Sequence, residues 1–248
     1  MKAMILAAGL GTRLRPLTDK LPKALVEVGG RTLLEITLVR LREFGVTEVI
    51  VNVHHHAQTL IDYLRANGNF GMCIEISRED DLLLDTGGGL KKAAWFFLEK
   101  SSPHDEPFIL HNVDVITNID IRQMVQFHRE HKSMATLAIQ KRNSSRQLLF
   151  DDAMALCGRR IQGRPDEAAR TASVVHPRAF SGIHVISPRL LKKIGEKEVF
   201  SIIDAYLRLA SQGESIVGFS VDEYYWRDVG RLDDLRQANE DAAQTKLR

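Results

Sequence analysis

The sequence is poor in several things, and each scarcity closes a class. It has two cysteines in 248 residues, Cys73 and Cys157. That is too few for a disulfide framework, and the spacing is not that of a metal site. Both read as free thiols of a reducing compartment. Long apolar runs are missing, so nothing approaches the ~20 residues of a membrane-spanning helix. The opening run, Ala3 to Ala8, is cut short by Gly9 and preceded by a single lysine, which makes a poor signal peptide. These two absences point to a cytoplasmic protein with no membrane partner. An excess of charge is missing too. The 34 basic residues face 32 acidic ones, for a net +2, whereas a nucleic-acid binder shows a basic face or tail. No Walker A string and no hexapeptide repeat occurs.

What remains is ordinary for a soluble globular chain: 44% apolar and 27% charged. One α/β domain over 1–242 suits this length, with a loose tail at 243–248. Short β-branched runs alternate with amphipathic stretches. Strands are expected at Ala3 to Ala8, Glu48 to Val53, Met72 to Ser77, Pro107 to His111, Met134 to Gln140, Phe180 to Ser187 and Ser215 to Val221. Helices are expected at Thr32 to Phe44, Ala57 to Leu64, Gly89 to Lys100, Asn118 to His131, Pro188 to Ile194, Phe200 to Leu209 and Leu232 to Ala242. Gly45 sits where a helix C-cap belongs. The pattern loosens between 141 and 178, where Arg146 to Asp151 and Leu156 to Ile161 read as a hairpin. The fold expected is a Rossmann-like three-layer α/β fold: a mostly parallel, mixed central sheet with an inserted hairpin over the pocket. In such sheets ligands bind beyond the carboxyl ends of the strands.

Four strings fall at such ends. The first follows the opening strand: Gly9 and Gly11 in a loop crowded by Arg13, Arg15, Lys20 and Lys23. Glycines after a buried strand, with cations nearby, can cradle phosphate. The dinucleotide fingerprint fails here, because Leu14 stands where its third glycine belongs. On the glycines alone, a plain turn with solvated basic residues is the better reading. The second string is Leu84-Asp-Thr-Gly-Gly-Gly-Leu90, three glycines ahead of a helix, which lets a large group reach the backbone. A flexible turn explains it as well. The third, Phe108-Ile-Leu-His-Asn-Val-Asp114, ends a strand in a carboxylate able to hold Mg²⁺. The fourth, Trp226-Arg-Asp-Val-Gly230, ends in Asp228, which alone reads as a cap. His54 and His56 share one side of a strand end. With no third ligand near them, a polar loop capping the next helix is the plainer reading.

Taken together these strings resemble the sugar-1-phosphate nucleotidyltransferases. Residues 6–18 and 21–26 match the signature Gly-x-Gly-Thr-Arg, Pro-Leu-Thr and Pro-Lys-Pro-Leu, departing at Ala24. Thr-Gly-Gly-Gly resembles the base-recognition turn. Asn112-Val113-Asp114 resembles Asn-Gly-Asp, with Val113 in place of glycine, and Trp-Arg-Asp-Val-Gly resembles the closing metal motif. The resemblance implies that Ala8, Gly9, Gly11, Thr12, Arg13, Lys23, Gly87, Gly88 and Asn112 contact the nucleotide. It implies that Arg13 and Lys23 are catalytic, and that Asp114 and Asp228 hold Mg²⁺. Arg146 and Gly182 become candidates for the sugar phosphate. The implied partners are a nucleoside triphosphate and a sugar 1-phosphate. The implied reaction is attack of the sugar phosphate on the α-phosphorus with loss of pyrophosphate. UTP with an amino-sugar or hexose 1-phosphate fits best, as in the N-acetylmuramic acid 1-phosphate uridylyltransferases. A guanylyltransferase of mannose or heptose 1-phosphate is the alternative. A non-catalytic nucleotide-sugar sensor is the alternative of another class, motivated by Val113.

Overall fold

The opening strand lies in the core, and for a plain reason. Ala3, Met4 and Ile5 are all fully buried, so the strand is apolar on both faces, as a parallel strand under helices must be. In this computed structural model, which describes residues 1–98 and 106–244, it runs as β1 (Lys2–Leu6). It is followed by a ribbon of β2 (Glu27–Val28) and β3 (Arg31–Thr32), then α1 (Leu33–Glu43), β4 (Glu48–Val53), α2 (Ala57–Ala66) and β5 (Cys73–Arg78). Next come α3 (Asp85–Lys92), α4 (Ala94–Leu98), β6 (Phe108–Asn112), β7 (Val115–Thr117), α5 (Ile121–Glu130) and β8 (Ala135–Gln140). The chain continues through β9 (Arg146–Phe150), β10 (Leu156–Ile161), β11 (Glu167–Ala168) and β12 (His176–Ile186). It closes with α6 (Ile202–Ser211), β13 (Ile216–Ser220), β14 (Trp226–Asp228) and α7 (Leu232–Ala243).

These elements make an α/β fold with a mixed sheet. The chain groups into two compact units. The first comprises Met1–Asp85, Leu110–Ile119 and Tyr224–Arg248; the second comprises Thr86–Ile109 and Asp120–Glu223.

In the first unit β4 lies between β1 and β5, and both pairings are parallel; Ile5 faces Val51 and Val51 faces Ile76 in register. Crossovers through α1 and α2 allow this. Helix α1 has clear end signals. Thr32 caps it by accepting from Glu35 N–H at 3.1 Å, and Glu35 completes the capping-box pattern. At the far end Gly45 takes φ +78°, while Gly45 N–H reaches Arg42 O and Val46 N–H reaches Leu41 O. This is the Schellman pairing that the Gly45 C-cap reading anticipates.

In the second unit antiparallel pairing prevails. Strand β12 pairs with β8 and with β9, β9 pairs with β10, and β10 with β11; only β13 joins β8 in parallel. The first unit's pairings of β1, β4 and β5 are thus all parallel, whereas most of the second unit's come from short connections that reverse the chain. The β9–β10 hairpin spans nearly the residues expected of it.

Two local expectations need correction. The three glycines do not precede a helix; they lie inside it, since α3 starts at Asp85. The helix expected at Gly89 to Lys100 is instead α3 and α4, and its last two residues fall outside the described ones. The expected tail falls outside them from 245 onward. Among the described residues no helix is long and apolar enough to cross a membrane.

Candidate active site

Beyond β1 the chain stays buried through Ala7 and Ala8, each 5% exposed, and then opens at Gly9. Gly11 turns the loop with φ +65°, a value that costs any residue with a Cβ. Space also demands glycine here, because a Cβ would lie 2.8 Å from Thr18 Cγ2 and 3.2 Å from Lys23 Cβ. Gly11 O accepts from Leu14 N–H and from Thr18 Oγ1–H, both at 2.8 Å. Leu14 is fully buried and pins the loop, while Thr12 and Arg13 beside it stay exposed. Arg15 pairs with Asp19 at 3.2 Å, both well exposed, a contact of small energetic weight.

Lys23 lies in a short 3₁₀ turn, Lys23–Leu25, with Ala24 fully buried inside it. Its ammonium makes a close ion pair with Asp114 Oδ2. Asp114 sits between β6 and β7. Its neighbour Val113 is only 4% exposed and its N–H donates to Leu6 O at 3.2 Å. The valine that replaces the resembled glycine is therefore a core residue, and its backbone extends the pairing with the end of β1.

Asp228 arrives from far along the chain. Strand β14 pairs antiparallel with β7, setting Asp228 opposite Val115, and Val229 N–H donates to Asp114 O at 2.8 Å. The ribbon is held at its other end. Tyr225 N–H donates to Asn118 Oδ1, Thr117 Oγ1–H donates to Tyr225 O, and Tyr225 O–H and Arg227 Nε–H both donate to the buried Asp241 on α7. Burial first, and then the neighbouring Asp114, push the Asp228 carboxyl above its usual range, against the opposing pull of Lys23 and Arg13. Asp228 Oδ1 is buried with no hydrogen-bond partner among the described residues. Gly230 completes the cluster: a Cβ there would lie 3.0 Å from both Arg13 Nη2 and Asp228 Oδ1. A side chain there would crowd that guanidinium and that carboxylate, which would have to shift to admit it. Asn112 is half-buried at the end of β6, and its carbonyl accepts from His111 Nδ1–H at 2.8 Å.

The first unit therefore brings together Gly11, Lys23, Asp114, Asp228 and Arg13. Ala8, Gly9, Thr12 and Asn112 belong to the same unit, whereas Gly87, Gly88, Arg146 and Gly182 belong to the second, in surroundings of another kind. Gly87 and Gly88 are buried, and their N–H groups donate to Phe200 O at 3.0 and 3.3 Å. A Cβ on Gly87 would lie 2.2 Å from Phe200 Cε2, so internal packing already demands this glycine. Gly182 takes φ +79° inside β12, where the register against β8 shifts between Phe180 and His184; a bulge accounts for it. Arg146 is exposed at the start of β9. An open polar cavity of about 500 Å³ beside the hairpin is lined by Gln147 and Arg160, among others, but not by Arg146.

The histidine triplet follows β4 and is engaged locally. His54 Nδ1–H donates to Glu79 O at 2.5 Å, and His56 stands at the start of α2 with φ +54°. Among the described residues no group of three or more His, Cys, Asp or Glu is placed to hold a metal. Asn52, Glu79 and Asp241 were not singled out by sequence, although each is buried. Asn52 carried a faint signal, a polar residue inside the apolar run of β4. Glu79 was masked by its own company, the acidic triplet Glu79-Asp80-Asp81.

Comparison with known proteins identifies the family. Residues 2–245 match the family model described as nucleotidyl transferase. The UTP–glucose-1-phosphate uridylyltransferase of Synechocystis is 28% identical over 96% of this chain and 62% of its own length. A mannose-1-phosphate guanyltransferase of Candida albicans is 30% identical over 95% and 62%. The chain thus spans a little under two thirds of these relatives. Among solved structures, apo UDP-glucose pyrophosphorylase superposes with a TM-score of 0.78 at 17% identity, covering 99% of both chains. HddC from Yersinia pseudotuberculosis does so with 0.75 at 22%, covering 97% of this chain and 99% of that one; at such identities the likeness is one of fold. With a family model covering nearly its whole length, this chain belongs to the nucleotidyl transferase family.

Proposed function

We propose that this chain transfers a nucleotidyl group from a nucleoside triphosphate to a sugar 1-phosphate. A phosphate oxygen of the sugar attacks the α-phosphorus, the bond from that phosphorus to the bridging oxygen breaks, and pyrophosphate leaves. The observation that carries this reading is the cluster in the first unit, where two distant aspartates meet beside Lys23 and the Arg13 loop.

Phosphoryl chemistry of this kind asks mainly for positioning and for screening of charge. Two carboxylates, one with an unpartnered oxygen, suit a hard divalent cation such as Mg²⁺, which takes one or two carboxylates and leaves its other positions to phosphates and water. When bound between Asp114 and Asp228, such an ion would offset the charge of the phosphates. Lys23 offers a point charge on a flexible stem beside Asp114, suited to the α-phosphate and the incoming sugar phosphate. Arg13 offers a planar fork for the departing pyrophosphate, with backbone N–H groups of Gly11 and Thr12 beside it. Ala8, Gly9 and Asn112 line the same strand ends and are assigned to the nucleotide.

The other roles rest on the resemblance. Gly87 and Gly88 remain candidates for the base, although their N–H groups are engaged by Phe200. Arg146 and Gly182 remain candidates for the sugar phosphate on resemblance alone. UTP with a hexose or amino-sugar 1-phosphate is the preferred pair, and GTP with mannose or heptose 1-phosphate the second, because relatives of both kinds match this chain. Substrates of this class and two unpaired cysteines fit a cytoplasmic setting.

The test is pyrophosphate release across UTP, GTP, CTP and dTTP with a panel of sugar 1-phosphates, with and without Mg²⁺. Release with one pair, abolished by chelation, is expected. No release with any pair overturns the reading in favour of a binding-only protein.

A further inference from the structure

The first unit contains a buried hydrogen-bond chain that none of these roles uses. Ala7 is the first residue past β1, and its N–H has left the strand ladder. It donates to Asn52 Oδ1 on β4 at 2.7 Å. Asn52 Nδ2–H donates in turn to Glu79 Oε1 at 2.7 Å, and the other oxygen, Oε2, accepts from Leu84 N–H at 2.9 Å. Asn52 is 2% exposed and Glu79 1%. The backbone of Glu79 is fixed as well: its N–H donates to Val53 O at 2.8 Å and its carbonyl accepts from His54.

A buried carboxylate facing only N–H groups is an expensive way to fill a core. It is economical only where loop backbone has donors that the ladders cannot satisfy. Both donors here are of that kind. Ala7 opens the segment that runs through Ala8 and Gly9 to Arg13, and Leu84 opens the segment that enters α3 at Asp85. Each of the strands β1, β4 and β5 contributes one link at its carboxyl end.

We propose that Glu79 is a positioning residue for the nucleotide loop: through Asn52 it fixes the direction in which the chain leaves β1 and so sets how well the Gly9–Arg13 segment receives a triphosphate. This rests on the nucleotide-binding reading of that loop. Glu79 touches no substrate; it acts through Asn52 and Ala7.

The chain of bonds can be broken and re-made. Glu79→Gln sets an amide donor against Leu84 N–H or Asn52 Nδ2. Asn52→Asp sets a second carboxylate oxygen against Glu79. With both changes together the polarity of the central bond reverses: the new amide donates to the new carboxylate, and the donors of Ala7 and Leu84 keep their acceptors. In each single variant KM for the nucleoside triphosphate is expected to rise roughly tenfold or more, with kcat and KM for the sugar 1-phosphate within about twofold. In the double variant it returns to within about threefold of wild type. A merely structural role would lower the melting temperature and the active fraction, hence kcat, and leave KM alone. Singles with unmoved KM, or a double as impaired as the singles, overturn the proposal. If Glu79→Gln alone does not fold, recovery in the double variant still decides.

A wild-type chain that releases no pyrophosphate with any pair sinks the functional reading only. The link is then read by amide hydrogen exchange. Exchange at Ala7 and Leu84 is expected to quicken by about tenfold or more in Glu79→Gln and to slow again in the double variant. Unchanged exchange in Glu79→Gln overturns the proposal.

Discussion

Two glycine-bearing segments, one in each unit, look alike on paper and differ in kind. In Gly9-Leu10-Gly11 of the first unit, the second glycine serves the loop's own geometry and the first faces empty space, where an added Cβ would meet nothing within 4 Å. Nearby, Asp228 Oδ1 has no partner among the described residues. In Thr86-Gly87-Gly88 of the second unit everything is spoken for: Phe200 O takes two N–H groups, Thr86 Oγ1 takes Ile202 N–H, and the Phe200 ring fills the space over Gly87. The first segment is unfinished and the second is complete. Substitutions at Gly9 and Asp228 should therefore cost activity, and substitutions in the second segment should cost stability.

The largest effect expected is at Asp228. Asp228→Asn should lower kcat/KM for pyrophosphate release by about 100-fold or more. Its melting temperature should hold or rise, because burial and Asp114 raise the carboxyl above its usual range. A carboxyl raised in the folded state makes the ionised form unfavourable there, so the gain appears above the ordinary aspartate range and vanishes in acid. Wild-type turnover in this variant would remove Asp228 from the site.

Gly87→Ala comes next and should behave in the opposite way. Its Cβ would meet the Phe200 ring at 2.2 and 2.4 Å and Ile202 N at 2.9 Å. Overpacking of this sort costs about 1–3 kcal/mol, readable as a lower urea midpoint with unchanged slope. Adding Phe200→Leu should recover part of it, since the backbone contact stays. A stable Gly87→Ala protein that has lost only nucleotide affinity would erase the distinction between the two segments.

The first segment can be divided in the same manner. Gly11→Ala carries a backbone cost of about 1–2 kcal/mol for its left-handed conformation, together with the clash against the Thr18 methyl. Thr18→Ser removes that methyl and keeps the hydrogen bond to Gly11 O, so the pair Gly11→Ala, Thr18→Ser should recover part of the loss and retain the backbone share with the milder crowding against Lys23 Cβ. Gly9→Ala should leave stability within about 0.5 kcal/mol of wild type, yet lower kcat/KM if a phosphate comes to rest there. Unaltered kinetics in Gly9→Ala would mean that the open space serves no ligand.

How much of this could be read from the chain itself follows the same line. Strands with buried β-branched runs, such as Glu48–Val53, and the capped helix from Thr32 to Gly45 were legible because pattern, cap and turn agree locally. The convergence of Asp114 with Asp228 was legible only through motif resemblance, since 114 residues separate them and β7 is too short to announce itself. The causes of Gly87 and Gly182 were not legible at all. Gly87 answers to Phe200, more than a hundred positions away, and Gly182 to a register shift, and neither partner leaves a mark at the glycine. Glu79 was invisible for the same reason: its partners Asn52 and Leu84 are ordinary residues until the strands set them side by side.

The smallest prediction carries the comparison to a titrating pair, one histidine in each unit. His111 in the first unit and His128 in the second are both held down by burial to about 4. They differ in their partners. His128 has both ring nitrogens at 3.0 Å from hydroxyls, Thr136 Oγ1 and Ser187 Oγ, whereas His111 Nε2 is buried with no partner among the described residues. An unfolded histidine binds its proton near pH 6.5, so between there and about pH 4 the unfolded state holds protons that the folded state refuses. Stability must then rise with pH across that window and level off above it. Each histidine contributes to the slope. His128→Gln should keep hydrogen bonds to the hydroxyls and remove one titrating proton, lowering the slope of unfolding free energy against pH by up to that one proton's share. If that variant keeps the full wild-type slope between pH 4 and 6.5, His128 is not buried as a neutral ring, and the well-satisfied character assigned to the second unit fails at that residue.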